Sequence, residues 1–141
     1  MCGIFAYLDS ERELDDSKLG QLRKFGMRCQ HRGPDNTDSA VINNNIYLLF
    51  HRLMINDMSD RGNQPLRHPE DSNLTIICNG EIYNYKALAE ENDFNLYSTS
   101  DCEIILHMYK KFGIQETVAR LDGVFAFVLV DKTADEVWIA R

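Results

Sequence analysis

Positive charge is scarce in this sequence: 15 Lys and Arg stand against 22 Asp and Glu, a formal net charge of -7. That deficit argues against recognition of nucleic acid through surface charge, and no basic run or arginine-rich stripe offsets it. Long apolar runs are also missing. The longest, Val124 to Val130, falls well short of the roughly 20 residues that a membrane helix needs. It suits a buried strand, and no membrane partner is expected. The first residues lack the basic and then apolar segments of a secretory signal. Cysteine is sparse and unclustered. Cys2, Cys29, Cys78 and Cys102 form no CxxC pair, and no Cys/His grouping has zinc spacing, so no metal site is expected. A reducing cytoplasm is the simplest setting, with disulfides left open.

What is present suits one soluble domain. The 141 residues are 44% hydrophobic and 26% charged, enough apolar material for a core. Residues 2–8 read as a short apolar strand. Residues 16–30 read as a helix with Leu19, Leu22, Phe25 and Gly26 near one face. Gly33-Pro34-Asp35-Asn36 signals a loop. Residues 39–42 and 46–53 read as paired strands around Asn43-Asn44-Asn45, the second apolar enough to be buried on both faces. Residues 58–73 read as a long loop carrying Gly62, Pro65 and Pro69. Residues 74–78 form another strand, which Asn79-Gly80 is expected to break. Helices are expected over 83–91 and 101–112, with Ser100 and Glu103 as a capping box for the second. Residues 123–130 and 136–140 read as strands around a turn. The order of elements suggests a layered α+β fold.

The chemistry starts at the N-terminus. A small residue after the initiator generally permits removal of Met1, which leaves Cys2 with a free α-amine. Such an amine has a reference pKa of about 7.7–8.0, so much of it is neutral near physiological pH. It can take the thiol proton directly or through water, with no histidine required. Nucleophile and base then belong to one residue. Gly3 gives a substrate close access to the sulfur.

Met1-Cys2-Gly3-Ile4 resembles the opening of class II glutamine amidotransferases. His31-Arg32-Gly33-Pro34-Asp35, Arg52-Leu53-Met54-Ile55-Asn56, Gln64-Pro65, Asn79-Gly80-Glu81-Ile82-Tyr83-Asn84, Ser100-Asp101-Cys102-Glu103 and Leu121-Asp122-Gly123-Val124-Phe125-Ala126-Phe127 follow in that family's order. Together they cover essentially the whole chain. The first and fourth of these later motifs resemble the glutamine-hydrolysing asparagine synthetase type. The resemblance implies an N-terminal-nucleophile hydrolase fold, a four-layer αββα sandwich of antiparallel sheets. It also implies hydrolysis of L-glutamine to glutamate and ammonia through a thioester on Cys2.

Roles follow for named residues. An Asn79 side-chain amide and a Gly80 backbone N–H can donate to a developing oxyanion, and the family places its oxyanion hole there. The plain alternative is an Asn-Gly turn. Arg52 can hold an α-carboxylate with its planar fork, or can be a solvated arginine at a strand end. Asp101 can accept from an α-ammonium, as the family's matching aspartate does, or can sit at a helix start for the dipole. By resemblance, Leu53, Met54, Ile55, Asn56 and Glu81 also line the glutamine pocket. His31, Arg32 and Asp35 organise the neighbouring loop. His51 reads as structural, His68 and His107 as loop and helix residues, and Cys29, Cys78 and Cys102 as packed thiols.

The resemblance further implies a synthetase domain in the same chain that uses ATP and Mg to make asparagine from aspartate. No such motif occurs in these residues, and no cofactor is expected in this domain. After Ala140-Arg141 the family usually continues with Asp and a Gly-containing segment leading to further strands, so the domain is expected to be truncated at its C-terminus. A homodimer is an additional expectation. Two other readings stay open: an amidotransferase with another acceptor, and a non-catalytic glutamine-binding module.

Overall fold

The computed structural model describes residues 2–55 and 58–141. Two antiparallel sheets form its centre. The first holds β1 (Gly3–Leu8), β2 (Asn36–Ile42) and β3 (Ile46–Arg52) in the order β1-β3-β2. The second holds β4 (Leu66–His68), β5 (Asp71–Ile82), β6 (Gly123–Asp131) and β7 (Glu136–Ala140) in the order β4-β5-β6-β7. Helix α1 (Asp16–Gly26) covers the first sheet, and α2 (Tyr85–Asn92) and α3 (Glu103–Arg120) cover the second.

The alternation of side chains along strands assigns three apolar layers. On β3, Ile46, Leu48 and Phe50 point between the sheets, where they meet Ile77 of β5 and Val128 and Val130 of β6. The intervening Tyr47 and Leu49 point outward and pack against Leu22 of α1. On β5 and β6, Ile76, Cys78, Phe127 and Leu129 face the opposite way, onto Leu88 of α2 and Ile105 and Met108 of α3. Helix, sheet, sheet and helices therefore stack as an αββα sandwich. Every residue of β3 is buried, as its near-continuous apolar run requires. Each fully buried Leu, Ile or Phe side chain contributes roughly 1.5–3 kcal/mol.

Local chemistry sets the connections. Asp15 caps α1 by accepting from the Lys18 amide at 2.7 Å. Asn43 and Asn44 both take positive φ, 51° and 59°, in the tight turn between β2 and β3.

The structure departs from the sequence reading in several places. The expected helix over 16–30 stops at Gly26 and continues as a 3-10 turn, Met27–Arg32. Phe25 on it is 53% exposed rather than packed. The expected loop over 58–73 contains a 3-10 turn, Asp60–Gly62, the short strand β4 and the start of β5. The helix expected from 83 starts at Tyr85. Asn84 does not cap it, because its side chain accepts from the Asp122 amide and donates to the Arg120 carbonyl. The Ser100–Glu103 capping box does not form. Helix α3 follows Cys102 with no side-chain cap, and the Glu103 carboxylate accepts from the Tyr97 and Ser98 amides instead. Beyond Phe112 the helix breaks at Gly113 (φ 75°, ψ 175°) and resumes to Arg120.

The most consequential correction concerns Asn79-Gly80. These residues do not break the strand, since β5 runs through them to Ile82 in register with β6, with Gly80 opposite Phe125. Gly80 serves close approach rather than a turn. A Cβ there would lie 2.4 Å from the Val124 carbonyl oxygen and 2.5 Å from the Phe125 Cα.

Candidate active site

Cys2 precedes β1, whose Gly3 pairs with His51 on β3. That register sets Cys2 beside the end of β3. The Leu53 amide donates to Cys2 Sγ at 3.3 Å, and the thiol lies 3.7 Å from the Leu53 carbonyl oxygen. Arg32 Nε donates to the Cys2 carbonyl at 3.0 Å. The loop that carries Arg32 is fixed in turn. Its Asp35 carboxylate accepts the Met54 amide at 2.8 Å, and the Asp35 amide donates to the Arg52 carbonyl at 3.0 Å. Gly33 lets that loop lie on β3, because a Cβ there would stand 2.1 Å from the His51 carbonyl oxygen.

His51 is structural, as expected. It is fully buried, with Nδ1 at 2.8 Å from Thr37 Oγ1 and Nε2 at 2.9 Å from the Gly26 carbonyl. Both ring nitrogens are thus occupied by structural partners rather than facing Cys2 as a base.

A cavity of about 350 Å³ opens at Cys2. Cys2, Arg52, Leu53 and Ile55 line it from the first sheet and its following segment. Asn79, Gly80 and Glu81 line it from β5, and Asp101 from the turn before α3. Met54 is not in its wall, and its amide is bound to Asp35. Asn56 lies outside the described residues, as does Met1. The wall also holds Gln64, Ser100, Cys78 and Cys102. Sequence reasoning gave Gln64 no role, although Gln64-Pro65 was among the recognised motifs.

Arg52 is 4% exposed, so it is not a solvated strand-end arginine. Its Nη1 donates to the Ser59 carbonyl at 2.7 Å and to Asn63 Oδ1 at 2.6 Å. Asp101 is 5% exposed, and its Oδ2 accepts the Ile82 amide at 2.6 Å. The N-terminus of α3 two residues later favours a negative charge there.

The direction of the Gly80 N–H follows from strand geometry. Amides of alternate residues on a strand point to the same side. The Cys78 amide points away from β6, to Gln64 Oε1 at 2.6 Å. The Ile82 amide points the same way, to Asp101. Gly80 lies between them, so its N–H shares that direction. Strand β4, the neighbour on that side, reaches only to Leu66, opposite Ile76. The Gly80 N–H is therefore aimed at the cavity wall instead of at a partner strand. Beside it, Asn79 Oδ1 is buried with no hydrogen-bond partner among the described residues.

The other two cysteines in the wall, Cys78 and Cys102, are buried, whereas Cys2 is half-buried. A hydrogen bond with Cys78, followed by burial and nearby negative charge, pushes the Cys102 thiol well above its ordinary value. Cys102 stays protonated at neutral pH and is a poor nucleophile. Cys29 lies outside this wall, with its thiol on the Gly26 carbonyl. Among the described residues, no group of three or more His, Cys, Asp or Glu side chains could hold a metal ion. No helix of the described residues is long and apolar enough to cross a membrane.

Comparisons with known proteins identify the family. The model of a family described as "Glutamine amidotransferase domain" matches residues 1–141. The asparagine synthetase [glutamine-hydrolyzing] of Mesocricetus auratus is 41% identical over 143 residues, covering 100% of this chain and 24% of that protein. Those of Gallus gallus and Homo sapiens are each 40% identical with the same coverage. The chain thus spans about a quarter of the length of the curated relatives it matches.

Proposed function

Because this chain belongs to the glutamine amidotransferase domain family, we propose that it hydrolyses L-glutamine to glutamate and ammonia at Cys2. The observation that carries this reading is the single cavity shared by Cys2, Arg52, Asn79, Gly80 and Asp101. A thiol nucleophile, an oriented cation, a buried anion and two oxyanion donors are what hydrolysis of an amino-acid side-chain amide requires.

The steps follow from those groups. Removal of Met1 frees the Cys2 α-amine, which takes the thiol proton. The thiolate attacks the γ-carbonyl carbon of glutamine. The carbonyl oxygen becomes an oxyanion and receives the Gly80 N–H and the Asn79 amide. Asn79 fills this role with its NH2 turned to the cavity. The protonated amine returns its proton to the leaving nitrogen, and ammonia departs from a γ-glutamyl thioester. Water, deprotonated by the same amine, then releases glutamate and restores the thiol. Throughout, Arg52 pairs with the substrate's α-carboxylate and Asp101 with its α-ammonium.

In the whole protein the ammonia would serve ATP-dependent synthesis of asparagine from aspartate. This extension is supported by relatives that bear the name asparagine synthetase [glutamine-hydrolyzing].

The test uses the full chain as its gene encodes it. Wild type should release glutamate from glutamine, and intact-mass analysis of quenched enzyme should find the thioester on Cys2. Cys2→Ala should lower turnover on the order of 10³-fold or more, as removal of a nucleophile does. An extra residue retained before Cys2 should also abolish activity, since an amide is no base. Turnover that survives Cys2→Ala would overturn the reading.

A further inference from the structure

Gln64 and Asn63 are adjacent in sequence, yet their side chains bond residues on opposite walls of the cavity, Cys78 and Arg52. Asn63 Oδ1 accepts from Arg52 Nη1 at 2.6 Å. Its own amide nitrogen donates to Asp60 Oδ1 at 3.4 Å, which directs the oxygen toward the arginine. Gln64 is 5% exposed and bonds the Cys78 backbone twice. Its Oε1 accepts the Cys78 amide at 2.6 Å, and its Nε2 donates to the Cys78 carbonyl at 3.1 Å.

The register explains why a side chain does the work of a backbone here. Leu66 pairs with Ile76 and Arg67 with Thr75. Carried two residues further, that register puts residue 64 opposite Cys78. Pro65 has no N–H to continue the ladder. The Gln64 carboxamide, one donor and one acceptor in a plane, supplies the missing rung. It therefore fixes the backbone immediately before Asn79 and two residues before Gly80.

We propose that Asn63 and Gln64 are positioning residues which, from one segment, hold the substrate-gripping Arg52 and the oxyanion donors of β5 in a common frame. Arg52 belongs to the first sheet and Cys78–Gly80 to the second, and this one segment bonds both. This inference rests on the proposed glutaminase reading and adds a division of labour within it. Asn63 acts through the ground-state grip on glutamine. Gln64 acts through a contact that strengthens only as the oxyanion forms.

The test is steady-state glutaminase kinetics on the full chain, with urea melts to track folding. Asn63→Ala should raise KM for glutamine roughly tenfold and leave kcat within about twofold, because a freed arginine binds less well in ground and transition states alike. Asn63→Asp retains the acceptor for Arg52 but loses the donor to Asp60, and should return KM most of the way to the wild-type value. Gln64→Glu retains the acceptor for the Cys78 amide but loses the donor to its carbonyl. It should lower kcat about 10- to 100-fold with KM little changed, in line with the cost of a small misplacement of catalytic groups. If Gln64→Glu fails to fold, the Asn63 pair still decides. Asn63→Ala with unchanged KM, or with a fall in kcat that Asn63→Asp does not repair, would overturn the proposal. So would a folded Gln64→Glu enzyme with unchanged kcat. A wild-type protein that cannot hydrolyse glutamine would overturn the glutaminase reading and this inference together, whereas an active wild type with the wrong variant pattern would overturn this inference alone.

Discussion

Asp101 Oδ2 accepts the Ile82 amide at 2.6 Å, two residues beyond Gly80 on the same strand. A residue read from sequence as a partner for the substrate's ammonium thus also holds the strand that carries the proposed oxyanion donors. Asp101→Ala should therefore damage both kinetic constants. KM should rise from the lost ion pair, and kcat should fall as the Gly80 N–H loses its support. Charged hydrogen bonds contribute about 1.5–3 kcal/mol each, which sets the scale at roughly 10- to 100-fold per constant. Steady-state kinetics on Asp101→Ala checks this, and a change confined to KM would show that the Ile82 contact carries no catalytic weight.

Arg52 and Asn79 should separate cleanly where Asp101 does not. Arg52→Ala removes binding made in ground and transition states alike, so KM should rise about 10- to 100-fold at near-constant kcat. The arginine is buried at the end of β3 and hydrogen-bonded to the segment that follows, so some loss of stability should accompany it. Asn79→Ala removes a donor whose contact strengthens in the transition state, and kcat should fall about 10²–10³-fold. Turnover and KM measured for both variants decide the point. A change in KM alone for Asn79→Ala would remove it from the oxyanion role.

Gly80 should tolerate no side chain. In Gly80→Ala the new Cβ would meet backbone atoms of Val124 and Phe125 at 2.4 and 2.5 Å, and backbone cannot rotate aside as a flexible side chain can. Overpacking of this kind costs roughly 1–3 kcal/mol or more. The urea midpoint should drop accordingly. Kinetics on whatever fraction folds should show a lower kcat, because β5 must shift from β6 to make room. An alanine variant as stable and active as wild type would mean that the strand spacing relaxes freely here.

The same glycine shows where sequence reasoning reaches its limit. Asn79-Gly80 carries strong local turn chemistry, and nothing within a few residues reveals that Phe125 will lie against it. The need for glycine arises across strands. Strand β4 was hidden for a related reason. It is three residues long between Pro65 and Pro69, and only the pairing of Leu66 with Ile76 identifies it. Ser100 and Glu103 match a capping pattern, yet the carboxylate finds the Tyr97 and Ser98 amides first. Elements dominated by their own composition were legible. These include the apolar β3, the asparagine turn before it and the β6–β7 pair. Cys2, Arg52, Asn79 and Asp101 were each chemically plausible alone. Their convergence was legible only through the family's motif order, because residues 2, 52, 79 and 101 meet through sheet packing that no local pattern encodes. Gln64 stood in one of those motifs without a role, since its bonds replace a backbone rung that no local pattern shows.

Acid should destabilise the protein through two buried groups, His68 and Glu103, in two pH windows. His68 packs against His107, with ring centroids 4.4 Å apart and the rings tilted by 50°. Burial first, then the charges of His107 and Lys110, lower its pKa below the ordinary 6.5. The unfolded chain therefore takes this proton before the folded one, and stability starts to fall as pH drops through 6.5 toward the lowered folded value. Glu103 sits one turn from His107, at 3.2 Å. Burial raises its pKa, but the donors from His107, Ser98 and Tyr97 together outweigh burial and hold it below the ordinary 4.5. Its contribution is fully present above 4.5 and is lost as pH falls through the lower folded value. His68→Phe should flatten the first window and Glu103→Gln the second. Glu103→Gln should also lose about 1–3 kcal/mol at neutral pH, because a carboxamide cannot accept with both terminal atoms. The measurement is the urea midpoint against pH for wild type and both variants. Many other carboxylates titrate in the same range, so the quantity that decides is the difference between each variant and wild type. A Glu103→Gln difference that stays constant from about pH 7 to about pH 3, through and below the titration range of carboxylates, would mean that Glu103 is not held low by its donors.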